Sequence, residues 1–218
     1  MNSQRLTGWL LIIGPVLTFL VWALLWPMLI GSGETSADQV AEGVAKPELV
    51  RVLSAIGVAG FASFLLGFVL LARSMQGEDK PGAGCVAVAG ILFVVTATMA
   101  AVAGTSSIGV LELAIEQNDV ATAVMVNAAG NAIFSGVPLI WSIALILLGT
   151  TIVKQKNLHV AVGWLFAVFG AVMLVYSVSH PVETNSSGDQ VISMMIWIGI
   201  SLITVATGVL TLRARQTS

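Results

Sequence analysis

Two histidines, one cysteine and eleven carboxylates make up the chain's stock of side chains that ligate metals or move protons. His159 and His180 flank one apolar stretch, about 31 Å apart at a helical rise of 1.5 Å per residue, so they cannot share one iron from a single helix. His180 with Met194 or Met195 would be the haem alternative, although methionine also serves as a flexible core filler. Glu112 and Glu116 share a helix face, and His180 and Glu183 stand in a neighbouring loop. Mixed histidine and carboxylate ligands suit zinc or manganese. Against this, the same acids fit a solvated loop, and no metal or other cofactor is expected.

Other chemistries lack their motifs. A serine protease in the membrane needs an activated serine beside a histidine. Ser106 and Ser107 lie near one end of a span and His180 near the same end of another, but neither Gly104-Thr-Ser-Ser-Ile-Gly109 nor Ile133-Phe-Ser-Gly136 reads Gly-x-Ser-Gly. No His-Glu-x-x-His occurs in a span. Cys85 has no partner for an internal disulfide and reads as a small core residue. An enzyme is therefore not expected.

Polar stripes are the positive signal. Asn127, Asn131, Ser135, Pro138 and Ser142 recur at helical spacing, as do Ser193, Trp197, Ser201, Thr204, Gly208 and Thr211. Tyr176 and His180 are one turn apart. Such faces turn from lipid toward a bundle, either to pack helices or to line a small polar cavity. Counting depth from the charged ends places Asn127, Asn131, Tyr176 and His180 at one level, with Ser135 just below. The expected ligand site is a pocket of these five residues, holding a polar headgroup over an apolar shaft. Pro138 should free the Phe134 carbonyl and kink its helix.

What positions these residues follows from composition. Of 218 residues, 57% are hydrophobic and 9% charged, with mean hydropathy +0.98. Soluble chains are roughly 45–50% apolar and about 25% charged. The surplus apolar surface must face lipid. A pI near 5.6 with scattered basic residues argues against a nucleic-acid partner. Charge-free gaps between Arg5, Glu34, Arg51, Arg73, Lys80, Glu112, Asp119, Lys154, Lys156, Glu183, Asp189 and Arg213 leave room for spans of about 20 residues. The expectation is one all-α membrane domain over 1–218, with six transmembrane helices near 7–30, 51–73, 83–105, 133–153, 160–180 and 190–212. The spans carry no deep Asp, Glu, Lys or Arg, which speaks against ion-coupled transport.

Short amphipathic helices are expected in the outer loops. Ile108, Leu111, Ala114 and Ile115 share one face in the excess between 105 and 132. In the 31–50 loop, Ser36 and Gln39 are spaced as a capping box, and Pro47 suits a first helical turn. Arg5, Arg73, Lys80, Lys154, Lys156, Arg213 and Arg215 fall on one side of the membrane, and Lys46 and Arg51 on the other. The positive-inside rule then puts both termini in the cytoplasm. The first apolar stretch is longer than the h-region of a signal peptide. Gly60, Ser63 and Gly67 form a small-residue ridge for close packing. Trp9, Trp164 and Trp26 sit at interface depth.

Two repeats of pattern stand out. Gly8-Trp-Leu and Gly163-Trp-Leu open two spans, with Gly84 opening a third, while Gly67, Gly149 and Gly208 precede the basic ends of the others. This is the pattern of three tandem hairpins. Ile146-Leu-Leu-Gly-Thr-Thr-Ile-Val153, Lys154-Gln-Lys-Asn-Leu-His159 and Val162-Gly-Trp-Leu-Phe-Ala-Val-Phe-Gly170 together make a join between helices. That join resembles one in small bacterial six-helix membrane proteins that form a domain-of-unknown-function family. The resemblance implies a multi-pass protein of the bacterial inner membrane and no catalytic residues. The partners expected are membrane lipids, with a second copy or another membrane protein as alternatives. The functions expected are binding of a small apolar or amphipathic ligand, or passage of a small solute as permease or channel.

Overall fold

The computed structural model describes residues 3–179 and 187–213, the side chains of 187–191 excepted. Among the described residues there is no strand. Six helical stretches are long and apolar enough to cross a membrane: Ser3–Leu29, Pro47–Ser74, Ala83–Glu116, Val120–Gln155, Val160–Ser179 and Ile192–Arg213. The chain is an all-α, six-helix, multi-pass membrane bundle. In lipid each backbone polar group must be satisfied within its own segment, which long helices do.

The first span is α1 (Ser3–Phe19), a π turn (Leu20–Leu25) and the short α2 (Trp26–Leu29). The connecting α3 (Ser36–Val44) leads to α4 (Pro47–Ser74). Helix α5 (Ala83–Leu111) runs into a second π turn (Glu112–Glu116). The fourth span is α6 (Val120–Ser135) and α7 (Val137–Gln155), followed by α8 (Val160–Ser179) and α9 (Ser187–Arg213). Each span packs on its neighbours in chain order, and α1 closes the ring on α9.

Aromatic side chains fill the axis of this ring. Phe61 and Phe64 of α4 meet Trp141 of α7 at ring separations of 5.8 and 5.2 Å, and Trp197 of α9 lies 5.0 Å from Trp141. Toward the other end Phe68 stacks on Phe93 at 4.8 Å and meets Phe166 edge-on at 5.5 Å. Phe64, Phe68, Phe93, Trp141 and Phe166 are fully buried.

Glycines bring the perimeter backbones together. A Cβ on Gly14 would fall on the Phe64 backbone, and one on Gly60 would come 2.9 Å from Leu17 Cβ. The small-residue ridge of α4 thus packs on α1. Two of the three hairpin junctions share a glycine pair: a Cβ on Gly208 would lie 2.7 Å from the Gly8 carbonyl, and one on Gly149 would lie 2.5 Å from that of Gly163. At the third junction Gly84 faces open space.

Three local expectations change. The excess between 105 and 132 is not a separate interfacial helix. Helix α5 continues to Leu111, its π turn reaches Glu116, and α6 starts at Val120. Buried Val110, Ala114 and Ala123 pack with Val40 of α3, so Ala114 of the expected face meets protein, as does buried Leu111, while Ile108 and Ile115 stay exposed. The cap of α3 is Thr35 with Asp38, not Ser36 with Gln39. The Asp38 amide donates to Thr35 Oγ1 at 3.2 Å, and the Thr35 amide donates to Asp38 Oδ2 at 3.1 Å. Pro47 does open α4. Cys85 is exposed rather than a core residue. Lipid is as apolar as the interior, so apolarity alone does not choose a face.

Helix α3 lies at the acidic end of the bundle, with Glu48, Glu112, Glu116 and Asp119; Arg73, Lys80, Lys154 and Arg213 mark the basic end. Trp9 and Trp164 are half-exposed near the basic end, as interface anchors would be. Trp26, at the start of α2, meets Trp22 at a tilt, with ring centroids 4.8 Å apart.

Candidate functional site

The two asparagines of the expected pocket converge, but on α3. Asn127 and Asn131 Nδ2 both donate to Gln39 Oε1, at 2.8 and 3.0 Å. Gln39 Nε2 in turn donates to the Gly33 carbonyl at 3.1 Å. One side chain thus ties the first long connection to the fourth span. Ser135 is exposed and donates to its own helix at Ala132. Tyr176 packs against the central core. His180 and Glu183 lie outside the described residues.

The helix break explains why the stripe divides. Helix α6 ends at Ser135, Gly136 makes the turn, and Pro138 sits in the first turn of α7. Pro138 has no N–H for the Phe134 carbonyl, so the ladder is interrupted there. Beyond the break Ser142 is buried and donates to Leu139 O at 2.7 Å. On α9, Thr204 and Thr207 are buried and donate to carbonyls one turn back. Those stripes pack helices.

Of the metal candidates, only Glu112 and Glu116 lie within the described residues. Among the described residues no three His, Cys, Asp or Glu side chains gather. Glu112 is exposed, and Glu116 pairs with Arg51. Met194 and Met195 are exposed on the bundle's outside, and His159 is exposed at the start of α8. Asp119 caps α6, accepting from Thr122 Oγ1 at 2.7 Å and from its amide at 3.0 Å. These bonds hold its carboxyl below the usual carboxylate range. The cap is therefore charged at neutral pH, and its contribution is lost as pH falls through that lowered value.

A different place has the shape of a site. Between α4 and α5, toward the acidic end, a groove of about 250 Å³ is lined by Ser54, Ala55, Val58, Ala59, Gly104, Thr105 and Ile108. It exists because both helices place small residues at one depth. Val58 already fills the space that a Cβ on Gly104 would need. At the floor the Ser54 and Ser107 hydroxyls are 2.8 Å apart, and Ser107 also donates to Gly104 O at 2.7 Å. Thr105 Oγ1 donates to Ala101 O. The floor's polar groups are thus satisfied internally, and the remaining lining is apolar. Ala55, Ala59 and Ile108 are exposed on the lipid-facing side.

Depth follows from helical rise. A ~30 Å apolar core measured from Ser74 reaches about residue 54 on α4, and from Ala83 about residue 103 on α5. The groove sits at the membrane boundary. One turn further out, Arg51 donates to Glu48 at 3.0 Å and stands 3.6 Å from Glu116, bridging the two helices above the groove. Lys46 is turned away, donating at 2.6 Å to the Leu29 carbonyl at the end of α2.

The groove was missed because its lining is small and largely apolar, and its few hydroxyls bond within the protein. Ser54-Ala55 with Val58-Ala59, and Gly104-Thr105 with Ile108, do share a spacing that marks two small-residue faces at one level. No protein-family model, curated protein or solved structure matches the chain.

Proposed function

We propose that this is a non-catalytic, multi-pass protein of the bacterial inner membrane that binds one amphipathic lipid from the outer leaflet. Its tail lies in the groove between α4 and α5. The observation that carries this reading is the groove itself: an apolar recess at the membrane boundary, open to the lipid side, with charged residues one turn above it. A lipid tail reaches such a recess sideways from the bilayer, whereas a water-soluble solute does not. The reading is favoured over a permease or channel because aromatic rings fill the axis of the ring. No cofactor is needed for it.

The test is lipid retention. Ala59→Phe would put a ring into the groove from an exposed position, at little expense to the core. Native mass spectrometry from mild detergent should find several-fold less lipid on this variant than on wild type. Val88→Phe, at a half-exposed site elsewhere on α5, should retain the wild-type amount. Equal retention by all three would overturn the groove as the binding site.

Orientation is a separate expectation. The excess of Lys and Arg on the termini's side supports a cytoplasmic position for that side. A reporter active only in the cytoplasm should work after Ser218 and fail at Glu116. The reverse pattern would move the groove to the inner leaflet.

A further inference from the structure

We infer that the lipid held in this groove carries a zwitterionic headgroup with a primary amine, of the phosphoethanolamine type; this rests on the groove reading above. A charge array stands at the groove's mouth. Arg51 is one turn outward from Ser54 and Ala55, on the face that leads into the groove. Its guanidinium has five N–H donors, and one goes to Glu48 Oε1 at 3.0 Å. Glu116 is 3.6 Å away and is not hydrogen-bonded to it. The remaining donors suit a phosphate, which guanidinium recognises through paired N–H groups.

The array does not suit an anionic headgroup. Arg51 stands between the carboxylates of Glu48 and Glu116, with Glu112 one turn before Glu116. Among the described residues Lys46, two positions before Glu48, donates to the carbonyls of Leu29 and Ile30 rather than to these carboxylates, and three carboxylates against Arg51 and Lys46 leave the mouth net negative. A lipid with only a phosphate charge would meet net repulsion. An ammonium group a few atoms beyond the phosphate would reach carboxylates instead. A primary ammonium donates hydrogen bonds to them, whereas a quaternary one has no N–H to give. The side chains of Arg51, Glu48 and Glu116 are 42%, 80% and 60% exposed, so the array is open to a headgroup at the boundary.

The experiment offers delipidated protein an equimolar mixture of phosphatidylethanolamine, phosphatidylglycerol and phosphatidylcholine with identical chains, and reads the bound lipid by native mass spectrometry. Wild type should prefer phosphatidylethanolamine over each of the others by about fivefold, the scale of partly exposed charge pairs. The Glu48→Gln/Glu116→Gln double variant should lose that preference while keeping total lipid. Arg51→Gln should lower total retention of all three. A wild type without preference, one that prefers phosphatidylglycerol, or a preference untouched by the double variant would overturn the headgroup assignment. Failure of the groove reading is distinct: Ala59→Phe would then retain as much lipid as wild type.

Discussion

Gly14→Leu is expected to lower bundle stability by about 3 kcal/mol, the upper end for overpacking, or to abolish the folded protein. A Cβ at Gly14 would fall on the backbone nitrogen of Phe64 and 2.5 Å from its Cα. Backbone cannot rotate aside, so α1 and α4 must separate. Intrinsic propensity pushes the other way, since leucine favours a helix over glycine by about 1 kcal/mol. A loss therefore reports packing. Gly67→Leu should be milder, because its new atoms meet the Leu11 side chain, 2.8 Å from Cδ2. Gly84→Leu, within α5 and with nothing within 4 Å, should melt no lower than wild type and up to the propensity gain above it. Thermal denaturation in mild detergent ranks the three. If Gly14→Leu melts with Gly84→Leu, the first two spans do not touch here.

Trp141 gives the second large effect. Its ring is fully buried between Phe61, Phe64 and Trp197, and among the described residues its Nε1–H has no hydrogen-bond partner. Trp141→Ala would leave a cavity at the axis and should cost about 3–5 kcal/mol. Within lipid this is a loss of van der Waals contact more than of burial from water. Trp141→Phe keeps an aromatic at the same place and removes a buried unpaired donor, whose burden is about 1–3 kcal/mol. The two terms oppose, so Trp141→Phe should stay within about 1 kcal/mol of wild type. If it melts as low as Trp141→Ala, the indole N–H has a partner whose loss is being read.

Much of the fold was legible because its causes are local. A charged side chain or an unpaired peptide group is costly in hydrocarbon wherever it lies along the chain. Charge-free stretches therefore mark the spans, and each expected span corresponds to a helix. The ends were less legible. The third span continues past 105 to Glu116, and the fourth begins at Val120 rather than 133. Their extra turns are covered by α3, a contact that composition does not record. The helix break was legible at Pro138, because a missing N–H is a property of one residue.

Of the expected pocket, only the level of its two asparagines along the membrane axis was legible, and the groove was not legible at all. Asn127 and Asn131 were placed at the right end of the bundle, but their partner is Gln39, 88 and 92 residues away. Cys85 faces outward and Ser142 inward, although both sit on apolar helices. In water, polarity separates a buried face from an exposed one. In a bilayer both faces are apolar, and that contrast disappears. The sequence by itself determined that this chain spans a membrane six times with two ends of opposite charge, since transfer of charge and peptide groups into lipid is priced residue by residue. The tertiary structure alone decided which faces meet, that aromatic rings fill the axis, and that a groove opens between α4 and α5. Those outcomes depend on the fit of small residues against distant neighbours, such as Gly14 on Phe64 and Gly104 on Val58.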